Sequence, residues 1–389
     1  VYKPVIYRGE ITACTFLQKL ELEKILIRRI LKKPLPMNMT KEDEKAYNDA
    51  MTCWICDRGG FNQKDKKYMK VRDHCHISGK YRGPAHAKCN LKLSIKPDRI
   101  TIPVIFHNLR GFDGHLIMGA AGRMGYEDSK ISCIPNNMEK YMSFSFGQLR
   151  FIDSLQFLNS SLEKLADNLS EDKFMISDKF GMGCDGRKGV FPYEWLDGWD
   201  KFDCTELPPK EAFYSQIRQS HISDADYNRA QTVWKKHNIE NMGEYHDLYL
   251  KNDVMLLADV FEMFRHTSMK NYGLDPAHYY TSPGMSWDAL LKKTGVKLEL
   301  LTDIDQHLFI EKGVRGGISM VSKRYAKANN PECPDYDSTK PNSSILYLDA
   351  NNQYGWAMSQ CLPMCDFRWT EDVTIETVIE TAEDAKTGY

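Results

Sequence analysis

Two short motifs of metal-binding residues bracket a segment that is rich in lysine and poor in apolar side chains. Cys53 and Cys56 form a CxxC motif, and His86 and Cys89 form an HxxC motif about thirty residues later. Because so few apolar residues lie between them, this segment cannot build a core large enough to fold without a cross-link. Three thiolates and one imidazole are a common ligand set for structural zinc. The sequence therefore predicts a zinc-binding module over residues 53–98, held by these four side chains.

The composition is that of a large protein from a reducing compartment. The chain has 389 residues, which is enough for two or three domains. Its 11 cysteines show no disulfide-like spacing, which indicates an intracellular location with some cysteines bound to metal. The net charge of -1 means that nucleic-acid contacts have to come from locally basic segments. The sequence has no signal peptide and no apolar run long enough for a membrane span, so we expect no membrane partner. Because it starts with Val1, we expect a fragment of a longer protein.

Hydrophobic periodicity and turn residues predict the secondary structure. A capping box from Thr40 to Asp43 starts a short helix, and Gly147 with Gln148 forms the turn of a hairpin. Asp224 is the expected cap of a later helix. The predicted strands are residues 4–7, 102–106, 141–146, 149–152 and 345–348, and the predicted helices lie within residues 15–33, 40–51, 210–238, 249–262 and 286–294.

Residues 102–118 place an acid where a buried strand gives way to a helix. Residues 102–106 are apolar and rich in β-branched side chains, which is typical of a buried strand. A polar turn follows, and Asp113 then precedes an apolar run that resembles a helix start. An acid in this position can hold a metal ion, but Asp is also a frequent helix N-cap. On this stretch alone, both interpretations remain open.

A second acid lies in the middle of an apolar helical face. Tyr249, Asp253, Leu256 and Val260 fall on one face of a helix by the 3.6-residue period. Because burying a lone carboxylate is costly, Asp253 has to pair with a cation or bind a metal. If Asp253 shares a metal with Asp113, the helix must pack across the sheet so that the two carboxylates lie close together. The alternative is an ion pair of Asp253 with a lysine or an arginine.

Together, these two stretches resemble a known enzyme family. Asn-x-x-x-Phe-Asp at residues 108–113 and Tyr-x-x-x-Asp at residues 249–253 are similar to the second and third exonuclease motifs of family B DNA polymerases. They look closest to the protein-primed branch, which includes phage, linear-plasmid and Polinton/Maverick-type polymerases. The resemblance implies an α/β fold with a ribonuclease H-like 3′–5′ exonuclease domain. It also implies that Asp113 and Asp253 are catalytic and bind magnesium or manganese, while Tyr249 points its hydroxyl toward the attacking water.

The same resemblance gives roles to residues in and between these motifs. Asn108 and Phe112 of the first stretch are expected to contact DNA. Ser154 and Leu155 begin a Ser-Leu-x-x-hydrophobic motif that contacts single-stranded DNA in this branch. Lys188 begins a Lys-x-x-hydrophobic motif whose lysine helps to hold the scissile phosphate in catalysis. The alternative for Lys188 is an ordinary solvated lysine.

Residues 271–389 resemble the start of a polymerase domain. Residues 345–348 form a predicted strand that ends in Asp349, and Asp349 with Tyr354 is similar to polymerase motif A. In that motif the aspartate binds the catalytic metals and the tyrosine packs under the incoming sugar. Three residues resemble the paired-glycine junction between the two domains, which contacts DNA: Arg315, Gly316 and Gly317.

Two-metal catalysis needs more acids than these motifs supply. No Asp-x-Glu, the first exonuclease motif of the family, precedes Asp113, and no Asp-Thr-Asp motif of the palm follows Asp349. We therefore expect both active sites to be incomplete in this chain. On this interpretation, the chain neither extends a primer nor degrades a 3′ end efficiently.

The zinc module has a resemblance of its own. Its sequence from Asp73 to Asn90 is similar to the recombination endonuclease VII group of ββα-metal nucleases. That resemblance implies that Asp73, His74 and Asn90 form a catalytic set around a divalent metal. The alternative is a zinc module that only contacts DNA through its basic residues, which are Lys66, Lys67, Lys70, Arg72, Lys80 and Arg82.

The whole chain is therefore interpreted as a piece of a DNA-directed DNA polymerase with a proofreading exonuclease. The expected partners are primer–template and single-stranded DNA, deoxynucleoside triphosphates and a terminal priming protein. Two alternatives remain: a catalytically inactive zinc protein that binds DNA, and an endonuclease whose active part is the zinc module. The predicted domains are residues 1–52 (N-terminal part of the exonuclease), 53–98 (zinc module), 99–270 (exonuclease) and 271–389 (incomplete palm).

Overall fold

The computed structural model describes residues 4–93, 95–125, 131–170, 174–179, 187–314, 316, 320–371, 373–382 and 385–389. Contacts between residues divide the chain into two units, Val1–Leu290 and Leu291–Tyr389. The predicted border between residues 270 and 271 falls inside a helix, Met242–Tyr272. The functional meaning of the predicted domains stays a prediction.

Helices and strands are mixed along the chain, so the predicted α/β class is confirmed. In the described residues the strands are β1 (Lys70–His74), β2 (Tyr81–His86), β3 (Ile102–Phe106), β4 (Ile131–Pro135), β5 (Tyr141–Phe146) and β6 (Leu149–Asp153). The α-helices there are α1 (Thr12–Leu31), α2 (Lys41–Asp49), α3 (Ala87–Lys92), α4 (Asp113–Met124), α5 (Leu162–Asp167), α6 (Met175–Lys179), α7 (Asp224–Lys236), α8 (Met242–Tyr272), α9 (Ser282–Thr294), α10 (Ile304–Gly313), α11 (Gln353–Ser359) and α12 (Ile375–Glu380).

A mixed sheet in the order β3-β6-β5-β4 organises the larger unit. Strands β3 and β6 are parallel, while β6, β5 and β4 pair antiparallel. The predicted hairpin between β5 and β6 is confirmed, and Gly147 has φ 57° in its turn, a conformation that costs glycine little. Because β3 and β6 are parallel, with Phe106 opposite Asp153, both strands end at the same edge of the sheet.

Helices α1 and α4 pack on one face of this sheet. Alternate residues of β5 and β6 point into that core, where the Phe144 and Phe151 rings stack with centroids 4.7 Å apart. The buried residues of this core are Leu17, Leu109, Ile117, Ala120, Ala121, Phe144, Phe146, Leu149 and Phe151. This packing holds the ends of β3 and β6 against the start of α4, where Asp113 lies.

The 31-residue helix α8 is the longest element of the larger unit's described part. It begins at the N-cap Asn241, whose side chain accepts the Glu244 N–H at 3.0 Å, and it ends at Gly273 in the left-handed conformation. Helices α5 and α6 contact it. The buried Asp259 of α8 accepts hydrogen bonds from the Ile176 and Ser177 N–H groups of α6 at 2.7 and 3.0 Å. This acid therefore caps α6 and ties it to α8.

Residues 53–92 form a compact module around a two-stranded sheet. Strands β1 and β2 pair antiparallel and α3 follows at once, which gives a ββα unit. The CxxC turn packs on β2, where Gly83 has φ 156° and a Cβ would lie only 2.7 Å from Cγ of Trp54. Glycine at this position therefore allows the turn and the strand to approach each other closely.

Several predicted elements differ from the structure. Residues 4–7 and 345–348 are not strands. The side chains of residues 345–348 are between 61% and 93% exposed and have no partner strand in the described part of the smaller unit, and an apolar run forms a strand only when it can pair. The capping box at Thr40 is confirmed. Helix α7 is capped by Ser223, one residue before the predicted Asp224.

No described helix combines the length and the apolar character that crossing a membrane requires.

Candidate functional site

Four predicted metal ligands meet in the ββα module. The ligand atoms of Cys53, Cys56, His86 and Cys89 all lie within 4.8 Å of one another, and we call this group the Cys/His cluster. Nδ1 of His86 is 3.6 Å from Sγ of Cys56 and 3.9 Å from Sγ of Cys89. A tetrahedral zinc ion with bonds of about 2.0–2.3 Å requires ligand atoms at such separations. The geometry is therefore compatible with structural zinc, as predicted.

Backbone N–H groups around the cluster change the pKa of one of its thiols, that of Cys53. Asp57 adopts φ 53°, which closes the turn after the CxxC motif, and its N–H donates to the Cys53 carbonyl at 2.8 Å. Burial alone would raise the pKa of Cys53, but N–H groups of His86, Ile55 and Cys56 point at its sulfur and lower that pKa below its usual value. These N–H groups therefore favour the thiolate of Cys53, which is the form that binds metal, whereas burial raises the pKa of Cys89.

The three residues predicted as a nuclease set have different surroundings. The Asp73 carboxylate is 2% exposed and both of its oxygens accept from the Arg82 guanidinium at 2.8 Å. The His74 ring lies 4.9 Å from the His76 ring, and Asn90 lies in α3, half-buried. The negative charge of a carboxylate that accepts from two nitrogens of one guanidinium is already neutralised by that cation. The catalytic role of this set stays a prediction.

Residues from two predicted motifs meet at α8, and we call Lys188, Tyr249 and Asp253 the lysine–acid cluster. Nζ of Lys188 is 3.7 Å from a carboxylate oxygen of Asp253, although 65 positions separate them. The Tyr249 ring stacks on Phe191 with centroids 4.9 Å apart, and its hydroxyl bonds that of Tyr193. The ion pair that sequence reasoning left open as an alternative for Asp253 is therefore present.

Burial controls the protonation of this cluster. It raises the pKa of Asp253, while the charge of Lys188 and a hydrogen bond from Tyr249 act in the opposite direction. Burial and the nearby Asp253 charge also raise the pKa of Tyr249, so the hydroxyl keeps its proton and can donate. Oδ1 of Asp253 is buried and has no hydrogen-bond partner within the described chain. The carboxylate thus has one oxygen in an ion pair with Lys188 and one that lacks a hydrogen-bond partner among the described residues.

A close approach of backbone to helix makes this arrangement possible. A Cβ on Gly189 would lie 2.6 Å from Cδ2 of Tyr249, so only glycine lets the segment after Lys188 pass over the Tyr249 ring. The Tyr245 hydroxyl donates to the Val190 carbonyl at 2.7 Å and fixes the same segment. The position of Lys188 beside Asp253 therefore depends on these contacts.

Asp113 starts α4 beside the shared edge of β3 and β6. Burial raises the pKa of Asp113, the nearby charge of Asp153 raises it further, and its own backbone N–H lowers it. The N-cap of α4 is Phe112 and Asp113 is the first residue of the helix, so the interpretation of Asp113 as the N-cap is not confirmed. The charged neighbour that acts on Asp113 is Asp153, whereas the charged neighbours that act on Asp253 are Lys188 and Glu163. A metal site shared by Asp113 and Asp253 stays a prediction.

The buried Asp153 shapes the turn that carries the second motif. Its carboxylate accepts the N–H groups of Asn108 at 2.8 Å, Arg110 at 3.4 Å and Leu155 at 3.1 Å. Asn108 adopts φ 66°, a left-handed conformation that asparagine tolerates better than most residues. The neighbouring Phe112 side chain is 67% exposed. The turn therefore has an acid at its base and an aromatic ring toward solvent.

Ser154 is fully buried below the same turn. Its hydroxyl bonds Nδ1 of His107 at 2.9 Å, and Nε2 of His107 donates to the Ser160 carbonyl at 2.9 Å. Leu155 is half-buried in the short helix that follows. The DNA contacts predicted for Ser154 and Leu155 stay predictions, and the Ser154 hydroxyl is already engaged within the protein.

The predicted polymerase residues lie in the smaller unit. The side chain of Tyr354 is 85% exposed at the start of α11, and Asp349 is also exposed. Gly316 is described and exposed, whereas Arg315 and Gly317 lie outside the described residues. The roles of these residues in metal binding and DNA contact stay predictions.

Sequence reasoning missed two residues of these sites. Asp153 follows an apolar strand just as Asp113 follows β3, and this repeated pattern could have revealed it. Asn252 is 2% exposed beside Asp253, and its Nδ2 donates to the Arg187 carbonyl at 3.1 Å. No local signal identifies Asn252, because its role depends on a segment 65 positions earlier in the chain.

Comparison with known protein families identifies the family of the chain. The family model described as DNA polymerase type B, organellar and viral, matches residues 93–389, and the chain therefore belongs to this family. The match excludes the Cys/His cluster, which lies before it. Neither a curated protein nor a solved structure gives a significant match to the chain. Members of this family polymerise DNA, which implies binding of DNA, deoxynucleoside triphosphates and divalent metal.

Proposed function

We propose that this chain is part of a protein-primed DNA polymerase, related to Polinton/Maverick-type enzymes, and that its larger unit is a 3′–5′ proofreading exonuclease of ribonuclease H-like fold. Family membership supports the polymerase class. The observation that carries the exonuclease proposal is the distance of 3.7 Å between Lys188 and Asp253. These residues come from separate motifs that the polymerase resemblance assigns to one exonuclease active site.

The proposed chemistry of this active site, to which the chain contributes Asp113 and Asp253 but no Asp-x-Glu motif, is hydrolysis of the last phosphodiester bond of a DNA strand. A water oxygen attacks phosphorus, the bond to the 3′ oxygen of the preceding nucleotide breaks, and that oxygen leaves with a proton. Asp113 and Asp253 would hold magnesium or manganese, which supplies charge stabilisation and activates the water. Lys188 would hold the scissile phosphate, and the protonated hydroxyl of Tyr249 would orient the water.

The donor set of Asp253 fits a hard cation. Its unpartnered Oδ1 is buried, and an unpaired carboxylate oxygen in such a place is costly. Hard divalent cations prefer carboxylate oxygens. The ion pair with Lys188 leaves that oxygen available, so a metal and the lysine can act on the same carboxylate.

We assign the exposed ring of Phe112 and the turn at Asn108 to contact with single-stranded DNA. Phe112 is 67% exposed on the turn that leads to Asp113, and aromatic rings bind single strands by stacking on bases. A base stacked there would bring the following phosphate toward Asp113. Asp349 and Tyr354 in the smaller unit would form motif A of the polymerase palm, and a terminal priming protein would supply the primer.

For the Cys/His module we propose structural zinc and DNA contact. Both oxygens of Asp73 are bound by Arg82, which favours a structural role for this acid over catalysis. Lys70 and Arg72 lie against the Tyr47 ring, 4.8 and 4.4 Å from its centroid, on the same module. The Lys70 ammonium is engaged, since it also donates to the Asn48 and Ala50 carbonyls. The exposed cations of the module suit phosphate contacts that are independent of sequence, and they are Lys66, Lys67, Arg72 and Lys80.

Manganese binding tests the exonuclease proposal without relying on catalysis. Electron paramagnetic resonance of added Mn²⁺ should show one site that is lost in both Asp113→Asn and Asp253→Asn. The matched control is Asp247→Asn, because Asp247 lies on the same helix but pairs with Arg8 at 3.2 Å. Unchanged Mn²⁺ binding in Asp253→Asn would contradict the proposal.

A further inference from the structure

Asp153 is a fully buried acid that no predicted motif and no step of the proposed chemistry uses. It ends β6 at the edge of the sheet where β3 also ends. Its Oδ1 accepts the N–H groups of Asn108 at 2.8 Å and Leu155 at 3.1 Å, and its Oδ2 accepts that of Arg110 at 3.4 Å. Because backbone donors engage both oxygens, any function of this carboxylate has to act through the segments that it binds.

The three donors belong to two separate segments of the chain. Asn108 and Arg110 lie in residues 107–112, which we call the edge turn, whereas Leu155 lies in the short helix Ser154–Gln156. A carboxylate that accepts N–H groups from both segments fixes their relative position. Asp153 therefore joins a segment for which DNA contact is proposed to one for which it is predicted.

The edge turn depends on such support because it is tightly folded. Asn108 has φ 66°, and a Cβ on Gly111 would lie 2.7 Å from Nδ2 of Asn108. Residues in sparsely populated backbone conformations persist where surrounding contacts hold them. The tight turn places Leu109 in the core, while the side chain of Phe112 stays 67% exposed. The direction of the Phe112 ring is thus set by the turn below it.

A second contact joins the same part of the molecule. Nδ1 of His107 bonds the Ser154 hydroxyl at 2.9 Å, and Nε2 of His107 donates to the Ser160 carbonyl at 2.9 Å. Hydrogen bonds to a charged acceptor contribute more to stability than neutral ones. Asp153 is therefore the main connection between the two segments, and His107 is a second one.

We propose that Asp153 is a positioning residue for single-stranded DNA, which holds the edge turn and the helix Ser154–Gln156 as one rigid surface with the Phe112 ring ready to stack on a base. Asp153 itself does not touch the strand. Its effect comes from preorganisation, since a ring that is already held in place loses little conformational freedom on binding. The choice of single-stranded DNA as the ligand rests on the proposed exonuclease function.

A double-mutant cycle tests this role, with binding of a labelled short oligothymidine followed by fluorescence anisotropy in buffer without divalent metal. In the parent chain, Phe112→Ala should weaken binding about 5- to 150-fold, the range for loss of one base–aromatic stack. Asp153→Asn keeps the shape of the side chain but turns an N–H donor toward backbone N–H groups. In that background Phe112→Ala should cost less than about twofold, because the ring is no longer held. An equal loss in both backgrounds would overturn the proposal.

The matched control is Asp259→Asn. Asp259 is also a buried acid that accepts backbone N–H groups, but its donors lie in α6. Phe112→Ala should keep its full effect in this background. If its effect disappeared there as well, the loss would reflect general destabilisation, and the proposal would be overturned.

A second variant keeps the test valid even if Asp153→Asn does not fold. His107→Phe retains an aromatic ring but removes both hydrogen bonds of His107. It should reduce the effect of Phe112→Ala by at least about twofold. An unreduced effect would contradict the proposal.

Amide hydrogen exchange of the free chain separates this inference from the proposed function. Asp153→Asn should accelerate exchange of the Asn108, Arg110 and Leu155 N–H groups, because it removes their acceptor. Unchanged exchange at these three positions would overturn the positioning role alone. A parent chain that fails to bind the oligothymidine would contradict the proposed exonuclease and, with it, the ligand inferred for this surface.

Discussion

The Cys/His cluster and the lysine–acid cluster both join distant parts of the chain, but they differ in how complete they are. In the first, four ligand atoms lie within 4.8 Å and fill a tetrahedral set. In the second, Asp253 has one cationic partner at 3.7 Å and one buried oxygen without a partner among the described residues. A closed ligand set serves folding, whereas an open carboxylate beside a lysine and a tyrosine is suited to substrate and metal.

The two acids of α8 show the same contrast within one helix. Asp259 accepts three hydrogen bonds, from the Ile176 and Ser177 N–H groups and from the Ser177 hydroxyl at 2.6 Å. Asp253 is also largely buried, but its Oδ1 has no hydrogen-bond partner among the described residues, and burial raises its pKa. The difference indicates that Asp259 stabilises the fold, whereas the proposed role of Asp253 in metal binding would account for the oxygen left without a partner.

The largest expected effect is loss of the metal from the Cys/His cluster. The purified chain should contain one zinc ion, and Cys53→Ser should lose it and unfold the module, since zinc contributes roughly 10–16 kcal/mol in zinc-finger peptides. Elemental analysis measures the zinc content, and the rate of proteolysis within the module measures its unfolding. The control is Cys75→Ser, a cysteine of the same module outside the cluster. Equal zinc in the two variants would contradict the ligand assignment.

The next effect concerns Asp259. Asp259→Ala should destabilise the larger unit by about 3 kcal/mol or more, because each buried donor left unsatisfied costs about 1–3 kcal/mol. Urea unfolding followed by tryptophan fluorescence measures it. A change of less than about 0.5 kcal/mol, the size usual for surface substitutions, would show that this acid is not the cap of α6.

Asp253→Asn should increase the free energy of unfolding at neutral pH, whereas Asp259→Ala decreases it. The folded pKa of Asp253 is raised above its ordinary value, so the folded state binds this proton more tightly than the unfolded state. The resulting stability is present below the ordinary pKa and is lost as pH rises through the folded pKa. At neutral pH without divalent metal, Asp253→Asn should therefore unfold at higher urea than the parent, with the gain absent below pH 3.8. A loss of stability at pH 7 would contradict this account.

The smallest effect tests the close approach at Gly189. Gly189→Ala places a methyl group 2.6 Å from the Tyr249 ring and should cost about 1–3 kcal/mol, with weaker Mn²⁺ binding if the lysine segment moves. Gly122→Ala in α4 is the matched control, because nothing lies within 4 Å of its Cβ and alanine favours a helix. Similar stability of the two variants would show that the segment adapts freely.

Features encoded locally were predictable from sequence. The CxxC and HxxC motifs each place two ligands within one turn. Gly147 indicates its hairpin because the turn needs a positive φ, which glycine adopts readily. Features that depend on distant contacts were not. Asp153 matters because it accepts N–H groups from a turn some 45 positions earlier. The strand predicted at residues 345–348 failed because strand formation depends on a pairing partner that the apolar pattern cannot specify.

The central claim is that Asp113 and Asp253 bind the same metal site, although 140 positions separate them. The most direct measurement is anomalous diffraction from crystals of this chain grown with Mn²⁺. The account predicts an anomalous peak with oxygens of both carboxylates at about 2.0–2.6 Å, or two adjacent peaks that the carboxylates bridge. Carboxylates on opposite sides of the larger unit, with manganese at neither, would contradict the exonuclease proposal.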